Sequence, residues 1–270
     1  MKRLVLVAVA LGILFTGTLA HANKLEEIKA RGTLICGVKD STVPFGYVDE
    51  TSKQLVGFDV DICKYIADAM GVGLELKAVT SASRIPMVLQ GSVDIAAATM
   101  THKIERDDVI DFSITYFMDG QKLLVPVDSG IKSVADLKGK RVATVKGSTS
   151  EKNIREAQPD CTVLSFDEYP QAMLAMKQGK AVAVTTDSTI LLGLRGSDPE
   201  PSKWEILPDA ISIEPYGLGI VENESKFRDF INKTLMEMWR SGEYKTTYDK
   251  WFGPETRFYL PLTWTMELWP

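Results

Sequence analysis

Four charged side chains stand where strand-like runs of the sequence end. Lys39 follows TLICGV, Arg84 follows GLELKAV, Arg106 follows VDIAAATM, and Asp187 closes AVAVTT. In open α/β sheets, ligands collect beyond the carboxyl ends of the strands. A guanidinium offers paired donors that match one carboxylate, so Arg84 and Arg106 indicate two separate carboxylates. Asp187, the acid of this set, suits an ammonium, and the set as a whole describes an acidic amino acid.

Hydroxyl side chains accompany these charges. Ser81 precedes Arg84, while Thr99 and Thr101 alternate at the end of their strand. Thr149 lies in the first turn of the predicted helix STSEKNIREA, whose N-terminus adds free N–H groups and positive potential. We expect these groups to line the same crevice.

Several of these residues also have a structural alternative. Ser148 and Asp187 are both placed to cap a helix, and Ser148 forms a capping-box spacing with Glu151. Lys39 and Arg106 would be ordinary as solvated surface charges. The threonines would also suit an edge strand, and the aromatic residues Phe45 and Phe58, taken singly, would suit a core.

Strand-like and helix-like runs alternate along the chain, which predicts an α/β fold with largely parallel sheets. A first β-α-β-α-β unit is followed by a second unit of the same plan. Two extended apolar segments, YFMDGQKLLVPV and ISIEPYGLGIV, join them and predict a two-segment hinge. We therefore expect residues 23–118 and 216–270 to form lobe 1 and residues 119–215 to form lobe 2.

The first 22 residues have the features of a secretory signal peptide. A positively charged start, a short apolar run and the ending Ala20-His21-Ala22 predict cleavage before Asn23 and export, most simply to a bacterial periplasm. The apolar run is shorter than the roughly 20 residues that a membrane-spanning helix needs. No cysteine stands at the cleavage point, as a lipoprotein would require.

Composition narrows the partners and the chemistry of the mature chain. Without residues 1–22 it has 29 basic and 36 acidic residues, a formal charge of −7, which argues against nucleic acid or anionic membranes. One histidine, His102, remains, so a histidine-rich zinc site is not expected, and no nucleotide-binding motif suggests a cofactor. Of the cysteines, Cys36 and Cys63 are placed for a disulfide, but buried free thiols, with Cys161 unpaired in either case, suit them equally.

The sequence resembles the family 3 solute-binding proteins of bacterial ABC transporters, which bind polar amino acids. The segments that carry the resemblance are GVKDSTVPFGY, LVGFDVDICKYIADAMG, RIPMVLQGSVDIAAATMT, IERDDVIDFS, SVADLKGKRVATVKGSTSE, AMKQGKAVAVTTDS and GEYKTTYDKWFG. Within the family, TSASRIP and GSTSE are similar to the glutamate/aspartate-binding branch. The resemblance implies a two-lobed type II binding-protein fold, a monomer without cofactor or catalysis, and a membrane permease as partner.

For one end of the ligand, the resemblance implies specific roles. Arg106 matches the arginine that holds the α-carboxylate, assisted by Thr101 and Thr149, with Thr99 nearby. Asp187 matches the acid that binds the α-ammonium.

For the other end, Arg84 and Ser81 match residues that hold the side-chain carboxylate. Lys39 stands where the acidic branch usually has arginine, and Tyr169 stands where that branch can have histidine. Because of these two departures, the sequence does not decide between glutamate and aspartate as the preferred ligand. Two aromatic residues are expected in the pocket wall, Phe45 and Phe58.

Three other functions remain open from the sequence. A cyclohexadienyl dehydratase shares this fold and needs a carboxylic acid for proton transfer, for which Glu168, Glu214 or Asp187 are available. A binder of glutamine or another polar amino acid, and a binder of dicarboxylates, are closer alternatives. The segment 255–270 lies beyond the resemblance, and we expect it to pack against one lobe.

Overall fold

A computed structural model describes residues 23–270, and the predicted signal peptide lies outside them. In this described part, no helix has the length and apolar character to cross a bilayer. Its helices are α1 (Lys24–Arg31), α2 (Phe58–Met70), α3 (Arg84–Leu89), α4 (Ile104–Asp107), α5 (Thr149–Ala157), α6 (Tyr169–Lys177), α7 (Ser188–Gly196), α8 (Ser225–Arg240) and α9 (Glu243–Phe252). Its strands are β1 (Thr33–Val38), β2 (Ser41–Thr42), β3 (Gly46–Val48), β4 (Leu55–Val56), β5 (Gly73–Ala78), β6 (Ile95–Ala96), β7 (Asp111–Phe112), β8 (Phe117–Pro126), β9 (Arg141–Val145), β10 (Thr162–Phe166), β11 (Ala183–Asp187), β12 (Trp204–Ile206), β13 (Ser212–Tyr216) and β14 (Gly219–Ile220).

The first lobe is built on a sheet with the strand order β5-β1-β6-β14-β7. β1 pairs in parallel with β5 and β6, whereas β14 runs antiparallel to β6 and β7. The apolar face of α2 packs on this sheet, and α2 ends at Gly71, whose φ of 74° is a left-handed conformation that glycine adopts without strain. A small sheet of β2, β3 and β4 lies beside it.

The predicted strand VDIAAATM is much shorter than expected. Only Ile95–Ala96 pairs in the sheet, because the chain turns away before Thr99, whose φ is 49°. The N–H of Thr99 donates to Oδ2 of Asp59 at 3.0 Å, which holds this turn beyond the sheet edge.

The second lobe is built on a sheet with the order β10-β9-β11-β8-β12. β9 pairs in parallel with β10 and β11, and β8 pairs antiparallel with β11, β12 and β13. The helices α5, α6 and α7 pack against it. The predicted α/β architecture is therefore confirmed in both lobes.

The two segments predicted to cross between the lobes lie side by side. β8 and β13 pair antiparallel, with Phe117 opposite Tyr216, and the Tyr116 N–H donates to the Tyr216 carbonyl at 2.9 Å. The proposed lobe boundaries, after residue 118 and before residue 216, fall within this ladder. Two adjacent crossings of this kind are typical of a hinge that restricts the relative motion of two lobes.

The three cysteines are free thiols in this structure. Cys36 on β1 and Cys63 on α2 are buried neighbours, and burial followed by the nearby Cys36 thiol raises the pKa of Cys63 well above its usual range. The sequence left open a disulfide between Cys36 and Cys63 or two buried free thiols, and the structure has the free thiols.

The C-terminal segment 253–270 contacts both lobes rather than one. On lobe 1, the Trp264 ring lies 5.4 Å from Trp239 and 5.9 Å from Tyr244. On lobe 2, the ring of Phe258 lies against Gly196 at the end of α7. The segment therefore connects the lobes outside the hinge strands.

Candidate functional site

Arg106 lies at the mouth of the cleft between the lobes. Its Nη1 donates to the Thr101 carbonyl at 2.8 Å, and its Nη2 donates across the cleft to the Gly147 carbonyl at 3.3 Å. Burial, together with the positive charge of Arg84, lowers the pKa of Arg106 to about 9. Its hydrogen bonds end on neutral carbonyls, so its charge is available to an anion.

Arg84 is the first residue of α3 and is only 2% exposed. Its Nη1 donates to the carbonyls of Ala98 and Thr99, whereas its Nε is buried without a partner. Burial lowers its pKa. No ion pair within residues 23–270 involves Arg84 or Arg106. The charge of Asp187 acts on both guanidinium groups from outside ion-pair distance, so neither has a carboxylate of the described chain in direct contact.

Ser81 belongs to the tight turn that precedes α3. The turn is held by Ser83, whose Oγ accepts from the Thr80 N–H at 2.9 Å. Ser81 itself is 4% exposed, and its Oγ has no hydrogen-bond partner within the described chain. An unpartnered buried hydroxyl is uncommon in proteins and marks a place where a ligand oxygen can be accommodated.

Two threonine hydroxyls from opposite lobes meet on one carboxylate. Thr101 of lobe 1 and Thr149 of lobe 2 both donate to Oε2 of Glu214, the latter at 2.7 Å, and their own oxygens lie 3.4 Å apart. Glu214 is fully buried on β13 and also accepts from Asn153 at 2.9 Å and from Ser212. The sequence assigned Glu214 no binding role, because its position in a hinge strand gave no sign of this contact.

Asp187 ends β11 without capping the helix that follows. The N–H groups of Ser188 and Thr189 instead donate to Asp119, at 3.1 and 3.0 Å, so the capping alternative for Asp187 is wrong. Tyr216 donates to Oδ2 of Asp187, while Oδ1 is buried and unpartnered. Burial, followed by the negative charges of Glu214 and Asp119, raises the pKa of Asp187 well above its usual range.

For Ser148 the capping role is confirmed. Its Oγ accepts from the Glu151 N–H at 3.2 Å, and its own hydrogen is donated to the Val145 carbonyl at 2.6 Å. Glu151 completes the arrangement by accepting from the N–H of Gly147 at 3.1 Å rather than from that of Ser148. This cap fixes the start of α5 and hence the position of Thr149.

Lys39 is fully buried and forms an ion pair across the cleft. Its Nζ lies 3.1 and 2.9 Å from the two carboxylate oxygens of Glu168, and Ser41 donates to the same carboxylate at 3.1 Å. Burial lowers the pKa of Lys39, and the negative charge of Glu168 opposes this shift. Its Nζ also lies 5.9 Å from the centre of the Tyr169 ring.

Two further residues predicted for the site, Tyr169 and Thr99, are also buried. Tyr169 is 3% exposed, and burial followed by the charge of Asp187 raises its pKa. The Thr99 hydroxyl donates to the Ala98 carbonyl at 2.8 Å, so it is already engaged. Asp59, missed in the sequence, holds this turn, and burial raises its pKa to about 7.

Phe45 and Phe58 belong to a fully buried aromatic cluster. The ring of Phe45 lies 5.6 Å from that of Tyr216, so it supports the tyrosine that holds Asp187. Phe58 lies 5.3 Å from Phe252 and 5.6 Å from Phe117, and Phe45 lies at similar distances from the same two rings. The structure therefore places both phenylalanines in the core rather than on an exposed pocket wall.

The chain is similar to known proteins over most of its described length. Residues 34–254 match the family described as bacterial extracellular solute-binding proteins, family 3. A glutamine-binding protein of Geobacillus stearothermophilus is 43% identical over 224 residues, which span 81% of this chain and 84% of that protein. An L-glutamate/L-aspartate-binding protein of Pseudomonas aeruginosa is 32% identical over 239 residues, spanning 84% and 79%.

A solved structure shows the same fold. An ancestral arginine-binding protein bound to glutamine superimposes with a TM-score of 0.78 at 38% identity, covering 83% of this chain and 99% of that one. The comparisons confirm the prediction of a binding protein rather than an enzyme. The family match extends over most of the described residues, and the chain belongs to the bacterial extracellular solute-binding proteins, family 3.

Proposed function

We propose that this protein captures an acidic L-amino acid, glutamate or aspartate, in the cleft between its lobes and delivers it to the permease of an ABC transporter. The observation that carries the proposal is the pair of guanidinium groups of Arg84, which is buried, and Arg106, which is partly buried, neither in contact with a carboxylate within residues 23–270. Two such charges are strongly disfavoured in an empty cleft, and a ligand with two carboxylates satisfies both.

The α-carboxylate end of the ligand is assigned to the cleft mouth. Arg106 supplies the charge, and the hydroxyls of Thr101 and Thr149 lie on the two sides of the cleft, 3.4 Å apart. A carboxylate placed here competes with Glu214 for the hydroxyl hydrogens, and Arg106 tips that competition towards the ligand. Because this group contacts both lobes, it binds better to the closed form than to the open one.

The α-ammonium is assigned to Asp187, whose unpartnered Oδ1 is a buried acceptor that needs a donor. An ammonium favours the ionised carboxylate and so brings the raised pKa of Asp187 back down. The side-chain carboxylate is assigned to Arg84 and Ser81, the buried donors that also lack partners. A dicarboxylate without an amino group would leave Asp187 unsatisfied.

Glutamine is the second candidate ligand. Two observations favour it: the charge of Lys39 is matched by Glu168, which leaves fewer net positive charges for a second carboxylate, and the Geobacillus relative is named for glutamine. A neutral amide can accept from Arg84 through its oxygen, although a charged acceptor bonds more strongly.

Calorimetric titration of the mature protein, freed of copurified ligand, tests the proposal. We expect tight binding of glutamate and aspartate, weaker binding of glutamine, and little response to arginine or succinate. Tight arginine binding would contradict the assignment of an acidic ligand, and tight succinate binding would contradict the role of Asp187. Incubation with prephenate or arogenate, followed for aromatic product, checks the alternative of a dehydratase.

Export and partners complete the proposal. Cleavage before Asn23 would release a monomer whose closed form docks on the permease. Mass spectrometry of the secreted protein tests the cleavage site, and light scattering tests the monomer.

A further inference from the structure

The ion pair between Lys39 and Glu168 joins the lobes at the side of the cleft where Arg84 lies. Lys39 follows β1 in lobe 1, and Glu168 precedes α6 in lobe 2. The Glu168 carboxylate receives both the Lys39 ammonium and the Ser41 hydroxyl, so all three groups meet only when the lobes are together.

The position of Glu168 is set by the start of its helix. Its N–H and that of Asp167 both donate to the side-chain oxygen of Gln171, at 3.1 Å each. Glu168 and Gln171 form a reciprocal capping box, so the start of α6 is fixed, and the Glu168 carboxylate also reaches across to Lys39. Its side chain is 17% exposed, whereas the Lys39 side chain is completely buried.

The positive charge of Lys39 acts near the position that we assign to the side chain of the ligand. The Lys39 Nζ lies 5.9 Å from the centre of the Tyr169 ring, and the positive charge of Arg84 adds to the effect of burial in lowering the pKa of Lys39. If Lys39 were unpaired, it would add a second cation beside the position assigned to the ligand's side-chain carboxylate. Opposite charges a few ångströms apart attract one another more strongly in a partly buried site than in water.

We propose that Glu168 is a specificity-determining residue: by pairing with Lys39 across the closed cleft, it withdraws that ammonium from the ligand and lets an amide compete with a carboxylate at Arg84. The inference rests on the proposed binding of an amino acid in this cleft. It concerns a residue that touches the ligand only through Lys39, and it predicts a change in preference rather than a simple loss of binding.

The two halves of the pair have opposite expected effects. Glu168→Gln keeps the shape and one acceptor for Lys39 but removes the negative charge, so the preference for glutamate over glutamine rises by roughly tenfold or more. Lys39→Met keeps the length but leaves Glu168 unpaired near the cleft, so the same preference falls by roughly tenfold. Both variants lose some affinity for every ligand, because the contact between the lobes is weakened.

Glu105→Gln is the matched control. Glu105 of lobe 1 pairs with Lys152 of lobe 2 at 2.6 Å, but the two side chains are 63% and 61% exposed. This variant also removes one acidic charge and one ion pair between the lobes. Since an exposed pair contributes little, the affinities for both ligands should change by no more than about fivefold, and their ratio should stay constant.

The experiment is calorimetric titration of glutamate and glutamine into the wild type and the three variants. Opposite shifts of the glutamate-to-glutamine preference in Glu168→Gln and Lys39→Met support the inference. Equal weakening of both ligands in both variants, with the ratio within about twofold of the wild type, would reduce the pair to a structural contact and overturn it. A wild type that binds neither amino acid overturns the proposed function instead, and this inference with it. If Glu168→Gln does not fold, the glutamate-to-glutamine preference of Lys39→Met tests the inference by itself: a fall supports it, and an unchanged ratio overturns it.

Discussion

Tyr216 in the hinge strand β13 donates its hydroxyl hydrogen to Oδ2 of Asp187 in lobe 2, which leaves Oδ1 as a buried acceptor without a partner. Asp119 accepts hydrogen bonds from the first N–H groups of the helix that follows Asp187, so Asp187 is not needed to cap that helix. Its pKa is raised mainly by burial, and its hydrogen bond to Tyr216 and the charge of Arg84 oppose that shift. This carboxylate is thus prepared for a cationic group of the ligand.

The first prediction concerns the pH dependence of binding. A folded-state pKa raised above 3.8 means that ligand-free Asp187 holds its proton over a wider pH range than an exposed aspartate does. An ammonium ligand needs the ionised form, so binding releases a proton. Affinity should therefore rise with pH until the pKa of ligand-free Asp187 is passed and then level off. Titrations from pH 4 upwards, in buffers of different ionisation enthalpy, measure both effects.

Tyr216→Phe separates this effect from a general loss of structure. Without the hydroxyl, the ionised form of Asp187 loses a hydrogen bond worth about 1.5 kcal/mol, so its pKa rises further and the affinity at neutral pH falls about tenfold. The loss should shrink as the pH is raised. Asp187→Asn should bind weakly without this pH dependence. An equal loss at every pH in Tyr216→Phe would contradict the role given to the hydroxyl.

The second prediction separates the roles of Arg84 and Arg106. Arg106→Ala removes the charge assigned to the α-carboxylate, which every amino acid has, so all amino acids should lose at least about 2 kcal/mol of binding free energy. Arg84→Ala should remove the discrimination between acidic and neutral side chains. Titration with glutamate, glutamine and alanine checks both.

Arg141→Ala provides the control for these substitutions. Arg141 is an exposed arginine at the start of β9, and its Nη2 donates to the Gly179 carbonyl over a long distance of 3.4 Å. Its removal should leave the affinity for all three ligands unchanged. If Arg84→Ala and Arg106→Ala weakened every ligand to the same extent, the assignment of separate carboxylates would be wrong.

The third prediction tests closure at a distance from the charged residues. Gly193 of α7 lies against the Val43 carbonyl of lobe 1, and a Cβ at Gly193 would stand 1.8 Å from that oxygen. Alanine raises helix stability by about 1 kcal/mol relative to glycine, so Gly193→Ala should not unfold lobe 2. It should hold the lobes apart and weaken ligand binding roughly tenfold, since the contacts made only in the closed form are lost.

Small-angle scattering with and without ligand, together with titration, measures this effect. Gly73→Ala serves as the control, because a Cβ there would have its nearest atom at 3.5 Å, which is an ordinary contact. Unchanged affinity in Gly193→Ala would show that the approach of α7 to the Val43 loop is not needed for binding.

Much of this architecture could be predicted from the sequence, and the parts that could not have a common cause. The alternation of apolar runs predicted the strands and helices, and their ends predicted Arg84, Arg106 and Asp187 as candidates. The partners of these residues come from elsewhere in the chain: Glu214 and Tyr216 lie in a hinge strand, as far as 113 residues from the groups they bond. Local pattern does not specify such pairings, because they depend on how the lobes meet.

The last prediction concerns the C-terminal segment, which the sequence alone did not explain. Phe258 is 6% exposed and packs on Gly196 of lobe 2, while Trp264, further along, packs on Trp239 and Tyr244 of lobe 1. Phe258→Ala should remove this connection and lower the free energy of unfolding by about 3 kcal/mol. Tyr259→Ala, at a neighbouring position that is 53% exposed, should cost far less.

Urea denaturation of the ligand-free protein, followed by tryptophan fluorescence, measures both variants. If the segment joins the lobes into one cooperative unit, Phe258→Ala should also reduce the slope of the transition, because the lobes then begin to unfold separately. Equal stability of the Phe258→Ala and Tyr259→Ala variants would show that the contact with α7 contributes nothing. Since Phe258 lies outside the proposed binding residues, glutamate affinity should change little while the protein remains folded.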